Sequence, residues 1–534
     1  MNKSILKIGT LAGIFALSNA VNAQSNVQQA SDKLRTFIST VNYGYVDTVN
    51  LDKLVETAIV STLEELDPHS VYISKEEVQR ANEPLEGNFE GVGIQFQLMK
   101  DTILVVAAIA GGPSEKLGIQ AGDKIIKIDG ENVAGIKIAN DGVMKRLRGK
   151  KGTVVVVDIK RAKSDDLLSF KIERDQIPIY SVDASYMATP KTGYIKVNRF
   201  SKTTMDEFNQ AFDKLKKQGM ENLILDLKGN GGGFLNMAHE LADQFLPENK
   251  MIVYTEGINQ KRQELIATKQ GKFEKGKLIV LIDEGSASAS EIVSGAIQDW
   301  DRGLVIGRRS FGKGLVQRPF NLPDGSLIRL TTARYYTPTG RSIQKPYDGG
   351  NKKYNEDIFI RMKSGELYSK DSIKLPDSLK YYTPNKRLVY GGGGIMPDIF
   401  VPLDTTFATD FYGKISRAGI QNKFVLNMME TERKNLLAKF PSMKEFKPQF
   451  KIDEKIWADF LAYTEKDDIK IDAVEAQTSR AVLEMQLKAL TARNLYDQGA
   501  YYEISNDMNE AYVEALKVLN DGTFDKMKLV YKGY

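Results

Sequence analysis

Two stretches of this chain run through the same order of events. In "ENLILDLKGNGGGFLNMAHELADQF" (221–245) and "KLIVLIDEGSASASEIVSGAIQDW" (277–300) an apolar run of strand length enters a small-residue loop, and the loop opens a helix. A strand with no polar alternation is buried on both faces, and repeated strand–helix units of this kind build an α/β core. "GLVIGRRSF" (303–311) supplies another strand, and residues 180–402 are expected to form this core. The regions around it differ. Residues 24–86 read as helical, with Leu51, Leu54, Ala58 and Leu63 near helical spacing until Pro68. Residues 87–179 hold short β-rich runs split by glycine turns, and residues 403–534 are mostly helical, most clearly over 473–496. The expected fold class is thus multidomain, α/β and α+β.

The N-terminus carries Lys3 and Lys7, an apolar run from about Ile8 to Leu17, and small residues in Val21-Asn22-Ala23. This is the pattern of a signal peptide, residues 1–23, cleaved after Ala23, because the apolar run is well short of the ~20 residues that span a bilayer. An exported, periplasmic protein with no membrane span in its mature form is expected. The net charge of +5 is spread over 534 residues and argues against a nucleic-acid binder. The chain has no cysteine, which excludes a cysteine nucleophile and a cysteine-ligated zinc site. It has two histidines, His69 and His239, too few for a multi-histidine metal site. Neither metal nor cofactor is expected.

"GRRSFGKGLVQ" (307–317) nearly fits a phosphate-binding loop, but Gly314 stands where Ser or Thr should ligate magnesium. Such a loop must also open a helix, whereas Pro319, Pro323 and the turn signal "PDG" follow here. Lys313 is therefore expected to do something other than hold a nucleotide. In "GSASASEI" a serine between a buried strand and a helix is either an N-cap or an exposed nucleophile beside N–H groups that favour negative charge. A serine nucleophile needs a base, and a lysine serves if its surroundings favour the neutral amine. Lys313 lies among Phe311, Gly312, Gly314, Leu315 and Val316, and Gln317 offers a side-chain carbonyl to orient it.

Together these motifs resemble the carboxyl-terminal processing peptidases, the tail-specific proteases of serine peptidase family S41. "LDPHSVYIS", "FEGVGIQF", "GYIKVNRF", "LILDLKGNGGG", "LTTARYYTPTGRSIQ" and "GGIMPDIFV" occur in the family's order, and the resemblance covers about residues 30–402. It implies Ser288 as nucleophile, Lys313 as general base and Gln317 as its support. Ala289 would supply one oxyanion N–H and the glycine loop the other. Gly231 replaces the family's usual proline there, and Gly232 is the favoured donor. Asp299, in "IQDW", is sometimes grouped with such a site and is otherwise structural. His69 and His239 are left structural. Residues 87–179 resemble a PDZ domain, in which Phe89, Gly91, Val92, Gly93 and Ile94 would bind a substrate's terminal carboxylate.

The implied protein is a serine endopeptidase acting on unstructured or C-terminally exposed protein substrates in the periplasm. A catalytically inactive PDZ scaffold or peptide-binding protein is the alternative, and the presence of Ser288, Lys313 and Gln317 counts against the inactive scaffold. The resemblance does not reach the extension 403–534. Its aromatic residues, among them Trp457, Phe460 and Tyr463, point to a folded helical appendage that packs on its own core or forms a homodimer contact.

Overall fold

The computed structural model describes residues 26–529 apart from 100, 162, 163, 165, 270 and 468, so the expected signal peptide lies outside the described residues. Two compact units are present, one ending at Tyr72 and the other starting at Ile73. In the first, residues 26–44 and Leu51–Glu64 are helical. Asn50 caps the second helix by accepting the Lys53 N–H at 3.0 Å. In the "LDPHS" turn, Asp67 accepts the N–H groups of His69 and Ser70 and the Ser70 hydroxyl.

The second unit begins with the PDZ region. Its antiparallel sheet runs Ile94–Met99, Thr102–Ala108, Lys124–Ile128, Val154–Lys160, Leu168–Glu173. Val155, Val157 and Ile159 are fully buried while their neighbours face outward, the period-two pattern of a sheet with one wet face. Helix Asn140–Leu147 closes this core with Val143 and Leu147. Strands Asn88–Gly91 and Asp175–Pro178 pair antiparallel and join the entry and exit of the domain.

Next comes a six-stranded sheet in the order Val182–Thr189, Thr192–Val197, Asn222–Asp226, Leu278–Ile282, Leu304–Gly307, Ile399–Phe400. The first pair is antiparallel and the others are parallel. The two apolar runs of the sequence are thus neighbouring central strands. Alternate residues face opposite ways. Leu223, Leu225, Leu278, Val280 and Ile282 pack with helices Thr204–Lys217, Leu235–Asp243 and Ala289–Asp299. Ile224, Ile279, Leu281, Leu304 and Ile306 form a second layer with Ala511, Tyr512, Ala515, Val518, Leu519 and Phe524. These last residues come from helices Glu510–Asn520 and Thr523–Lys526.

Helices Glu510–Asn520 and Thr523–Lys526 of the extension thus pack on one face of the protease-like sheet. The rest of the extension, helices Asp410–Ala418 to Ala473–Leu495, has a core of its own around Phe424, Phe446, Trp457, Phe460 and Leu487. Its contact with the PDZ sheet runs through Leu426 on Leu104 and Val106, Asn422 on Gln97, and Lys124–Glu430 at 3.2 Å. The folded helical region is present, and much of its apolar surface packs within its own chain.

A further antiparallel arrangement joins strands Leu315–Asn321, Leu327–Tyr336, Met251–Gly257 and Gln260–Ile266 in that order. It sets Leu315 opposite Arg334 and Gln317 opposite Thr331. A strand follows Lys313, not a helix, in keeping with the rejection of a phosphate loop.

Candidate active site

Strand Leu278–Ile282 ends at the turn Asp283–Ala287, and helix Ala289–Asp299 starts directly after Ser288. The turn is tied from both sides. Asp283 accepts the N–H groups of Gly229 and Gly285. Ser286 donates to the Leu227 carbonyl and Ser290 to the Asn230 carbonyl, at 2.9 and 2.8 Å. Both serines are fully buried. Their hydroxyls serve the fold, whereas Ser288 between them is half-buried and reachable. Ser288 has φ 55° and ψ −111°, a conformation that costs a non-glycine residue of order 1–3 kcal/mol and persists only when its surroundings enforce it.

The glycine loop is part of that enforcement. A Cβ on Gly232 would lie 2.8 Å from the Ser288 Cβ, 2.9 Å from the Ala287 carbonyl and 3.1 Å from the Ala289 nitrogen. Gly232 also has φ +102°, so no side chain fits there. Gly231, next to it, has open space around its Cβ position. The Gly232 N–H donates to Asn230 Oδ1 at 2.9 Å, so its use as an oxyanion donor requires sharing or releasing that bond.

Glu291 joins this turn to the lysine loop. Its carboxylate is fully buried and has four donors. Oε2 accepts the backbone N–H of Ser288 at 2.8 Å and that of Lys313 at 2.9 Å. Oε1 accepts the Gly312 N–H at 2.7 Å and the Ser310 hydroxyl at 2.5 Å. Burial pushes the Glu291 carboxyl up to about 7, against the opposing pull of these hydrogen bonds. On the other side, the buried Tyr335 hydroxyl points at the carbonyl of Ser288, at 3.1 Å, and at the carbonyl of Lys313. The amides of Ser288 and Lys313 thus share one carboxylate oxygen, and their carbonyls share one phenol. This double clamp fixes the backbones of two residues 25 positions apart without using either side chain. The lysine loop is also held at Gly312, whose Cβ would meet the Gly394 nitrogen and the Lys345 Cβ at 3.1 Å.

The model for peptidase family S41 matches residues 191–352, that for a PDZ domain matches 104–161, and a family of unknown function matches 411–497. The chain is 34% identical to the carboxy-terminal processing protease CtpB of Bacillus subtilis (strain 168) over 368 residues, 68% of this chain and 74% of that one. The chain belongs to the carboxy-terminal processing proteases of peptidase family S41. It is also 33% identical to a probable CtpA-like serine protease of Staphylococcus aureus (strain N315), over 64% of this chain and 68% of that one. Among solved structures it is similar to a photosystem II D1 C-terminal processing protease. That match has 25% identity and a TM-score of 0.36, over 69% of this chain and 92% of the other.

In this protease, Gln317 lies on the strand after Lys313, and its Nε2 donates to Thr331 Oγ1 at 3.1 Å, which leaves its carbonyl oxygen as the accepting end. Asp299 is not brought near Ser288. It sits at the far end of the 11-residue helix that Ser288 opens, roughly 15 Å along the axis. There its Oδ1 accepts Arg341 Nη2 at 2.6 Å and its Oδ2 accepts the backbone N–H and hydroxyl of Thr339. His239 binds the Ile266 carbonyl at 2.9 Å, and His69 lies in the Asp67 turn.

The proposed carboxylate loop splits in two. Phe89 and Gly91 belong to the ribbon paired with Asp175–Pro178, and the Phe89 ring lies 4.8 Å below the Arg148 guanidinium. Val92 and Gly93 lead into Ile94, the first residue of the sheet's edge strand. The Val92 carbonyl accepts from Ser114, and the Gly93 carbonyl accepts from Ile109. Since N–H and C=O are opposed across a trans peptide, the N–H groups of Gly93 and Ile94 point away from these buried partners.

The sequence reading missed Glu291 and Tyr335. Glu291 had a signal, its S-x-x-E spacing from Ser288. Tyr335 had none nearby, because strand pairing alone brings it back.

Proposed function

We propose that this chain is an exported serine endopeptidase that captures protein C-termini at its PDZ domain and cleaves with a Ser288–Lys313 dyad. The observation that carries the reading is the double clamp of Glu291 and Tyr335 on the backbones of these two residues.

Ser288 Oγ attacks the substrate carbonyl and its proton passes to the neutral amine of Lys313. The developing oxyanion meets the N–H of Ala289 at the helix N-terminus, with Gly232 as second donor once its bond to Asn230 is shared. The lysine returns the proton to the leaving amine, and water then hydrolyses the ester on Ser288. Gln317 orients the lysine through its carbonyl oxygen. At the PDZ domain, the N–H groups of Gly93 and Ile94 meet the terminal carboxylate while the tail pairs along Ile94–Met99. The printed names of the relatives, carboxy-terminal processing proteases, support this substrate class. Among the described residues no helix is long and apolar enough to cross a membrane. Export and a periplasmic location rest on the N-terminal pattern.

The test is incubation of the mature protein with an unfolded protein, with and without Ser288→Ala, and mass spectrometry of the products. Cleavage that disappears in the variant is the expected result. Absence of cleavage by the wild type would return the reading to an inactive PDZ scaffold.

A further inference from the structure

The loop that carries Gly232 is rich in glycine: residues 229, 231, 232 and 233 are all Gly, so its shape depends on what holds it from outside. Part of that hold comes from strand Leu278–Ile282 and the turn after it. The Leu227 N–H donates to the Leu281 carbonyl, the Gly229 N–H to Asp283, and the Asn230 carbonyl accepts the Ala287 N–H.

Lys228 is held differently. Its N–H donates to Asp226 Oδ1 at 2.8 Å, and its carbonyl accepts from Lys196 Nζ. Lys196 and Asp226 are register partners on neighbouring parallel strands, both buried, and form an ion pair at 3.1 Å. The other oxygen of Asp226 accepts the Tyr194 hydroxyl at 2.6 Å. A buried ion pair thus grips both backbone polar groups of Lys228.

The side chain of Lys228 is taken up by the far end of the chain. Its Nζ donates to Asn509 Oδ1 at 2.6 Å, across 281 positions of sequence. Asn509 caps helix Glu510–Asn520, which packs on the sheet face opposite the helix that Ser288 opens. The amide of Asn509 is oriented by its neighbours. Its Nδ2 donates to Asn506 Oδ1 at 2.9 Å, and Asn506 Nδ2 donates to the Tyr186 hydroxyl at 2.8 Å. That leaves Oδ1 for the ammonium. Tyr512 of the same helix packs edge-on to Tyr194, with ring centroids 5.4 Å apart. The terminal helices therefore reach the loop by two routes, through Lys228 directly and through Tyr194 to Asp226.

We propose that Lys228 and Asn509 are positioning residues for the oxyanion donor on Gly232, so that the terminal helices serve the reaction as well as cover the sheet. Lys228 lies four positions before Gly232, and Asn230 between them accepts the Gly232 N–H. A shift at Lys228 is passed to that donor, and a displacement of about 1 Å costs on the order of 100-fold in rate. The inference rests on the reading of Gly232 as an oxyanion donor.

Two substitutions separate this role from helix capping, because serine and aspartate both cap helices as asparagine does. Asn509→Ser keeps the cap and is too short to reach Lys228. Asn509→Asp keeps the cap and the accepting oxygen. With an unfolded protein as substrate, Asn509→Ser is expected to lower kcat about ten-fold and leave KM unchanged, since an oxyanion donor acts in the transition state. Asn509→Asp should recover most of that loss. Lys228→Met should match Asn509→Ser, and combining the two should lower kcat no further. Amide exchange over residues 227–234, followed by mass spectrometry in the Ser288→Ala protein, should be about ten-fold faster when Asn509→Ser is added. That comparison decides the positioning even if cleavage survives Ser288→Ala and the dyad itself is refuted. Wild-type kcat in Asn509→Ser, an equal loss in Asn509→Asp, or unchanged exchange over 227–234 overturns the proposal.

Discussion

Glu291→Gln keeps the volume of the clamp and removes its charge. In the wild type, four donors converge on the two carboxylate oxygens. A glutamine offers one oxygen and one NH2, so two of those donors then face hydrogens. Hydrogen bonds to a charged group contribute about 1.5–3 kcal/mol each, so losing two costs about 3–6 kcal/mol. The charge itself is expensive. Its pKa of about 7 against an ordinary 4.5 means that the folded protein disfavours the ionised form by about 3 kcal/mol. Glutamine avoids that cost, so above pH 7 the net loss of stability is small, about 0–3 kcal/mol, while the alignment of Ser288 with Lys313 is lost. Misplacement of this kind costs about 100-fold in rate.

The sign with pH follows from the raised pKa. Between about 4.5 and 7 the folded state holds more protons than the unfolded one, so the wild type loses stability as pH rises through that window, by about 3 kcal/mol in total. Activity changes the other way, because a protonated Glu291 has lost an acceptor: kcat/KM falls as pH drops through about 7. The assay is kcat/KM on an unfolded protein from pH 5 to 9, with urea melts at each pH, for both proteins. The variant should lose most activity, keep most stability, and lack both the stability slope below pH 7 and the activity limb near it. A variant with wild-type kcat/KM and an unchanged limb near pH 7 would refute the clamp.

Tyr335→Phe removes one hydroxyl and should lower kcat about ten-fold with about 1–3 kcal/mol of stability, read from turnover and a urea melt. Asp299→Asn should do the opposite: breaking the buried Asp299–Arg341 pair costs about 3–5 kcal/mol in the melt and leaves kcat near wild type at temperatures where the variant is folded. Truncation after residue 497 uncovers Ile279, Leu281 and Ile306 of the protease sheet and should give aggregated protein in light scattering, unlike a dispensable tail. A peptide ending in a free carboxylate should bind better than its amide, and Gly93→Ala, at φ +74° with Ile177 2.9 Å from a new Cβ, should erase the difference.

Much of the core was legible because its strands advertise themselves. Leu278–Ile282 is apolar without a break, and burial on both faces is the one environment that suits such a strand. The lysine loop was legible by elimination, since Gly314 and the prolines deny it a nucleotide. Glu291 stood in view at capping-box spacing, but a capping role would give it one or two partners; that it gathers donors from a second loop is a tertiary fact. Tyr335 and Gly232 act through approaches of a few ångströms that strand order alone determines. The seat of the final helices on the protease sheet is not legible in the sequence, because an amphipathic helix reveals that it has an apolar face, not which surface covers it. Asp299 stayed open in the sequence for the converse reason. Its position on the same helix as Ser288 is close in sequence and distant in space.

The central claim is that Ser288 is a nucleophile activated by Lys313, and covalent labelling reaches it most directly. The protein is treated with a serine-reactive fluorophosphonate at pH 8, digested, and the adduct located by mass spectrometry as a function of time. The account predicts one adduct, on Ser288, with labelling slowed at least 100-fold in Lys313→Arg because a guanidinium cannot take the proton. An adduct on Ser286 or Ser290, or labelling of Ser288 at the wild-type rate in Lys313→Arg, would contradict it.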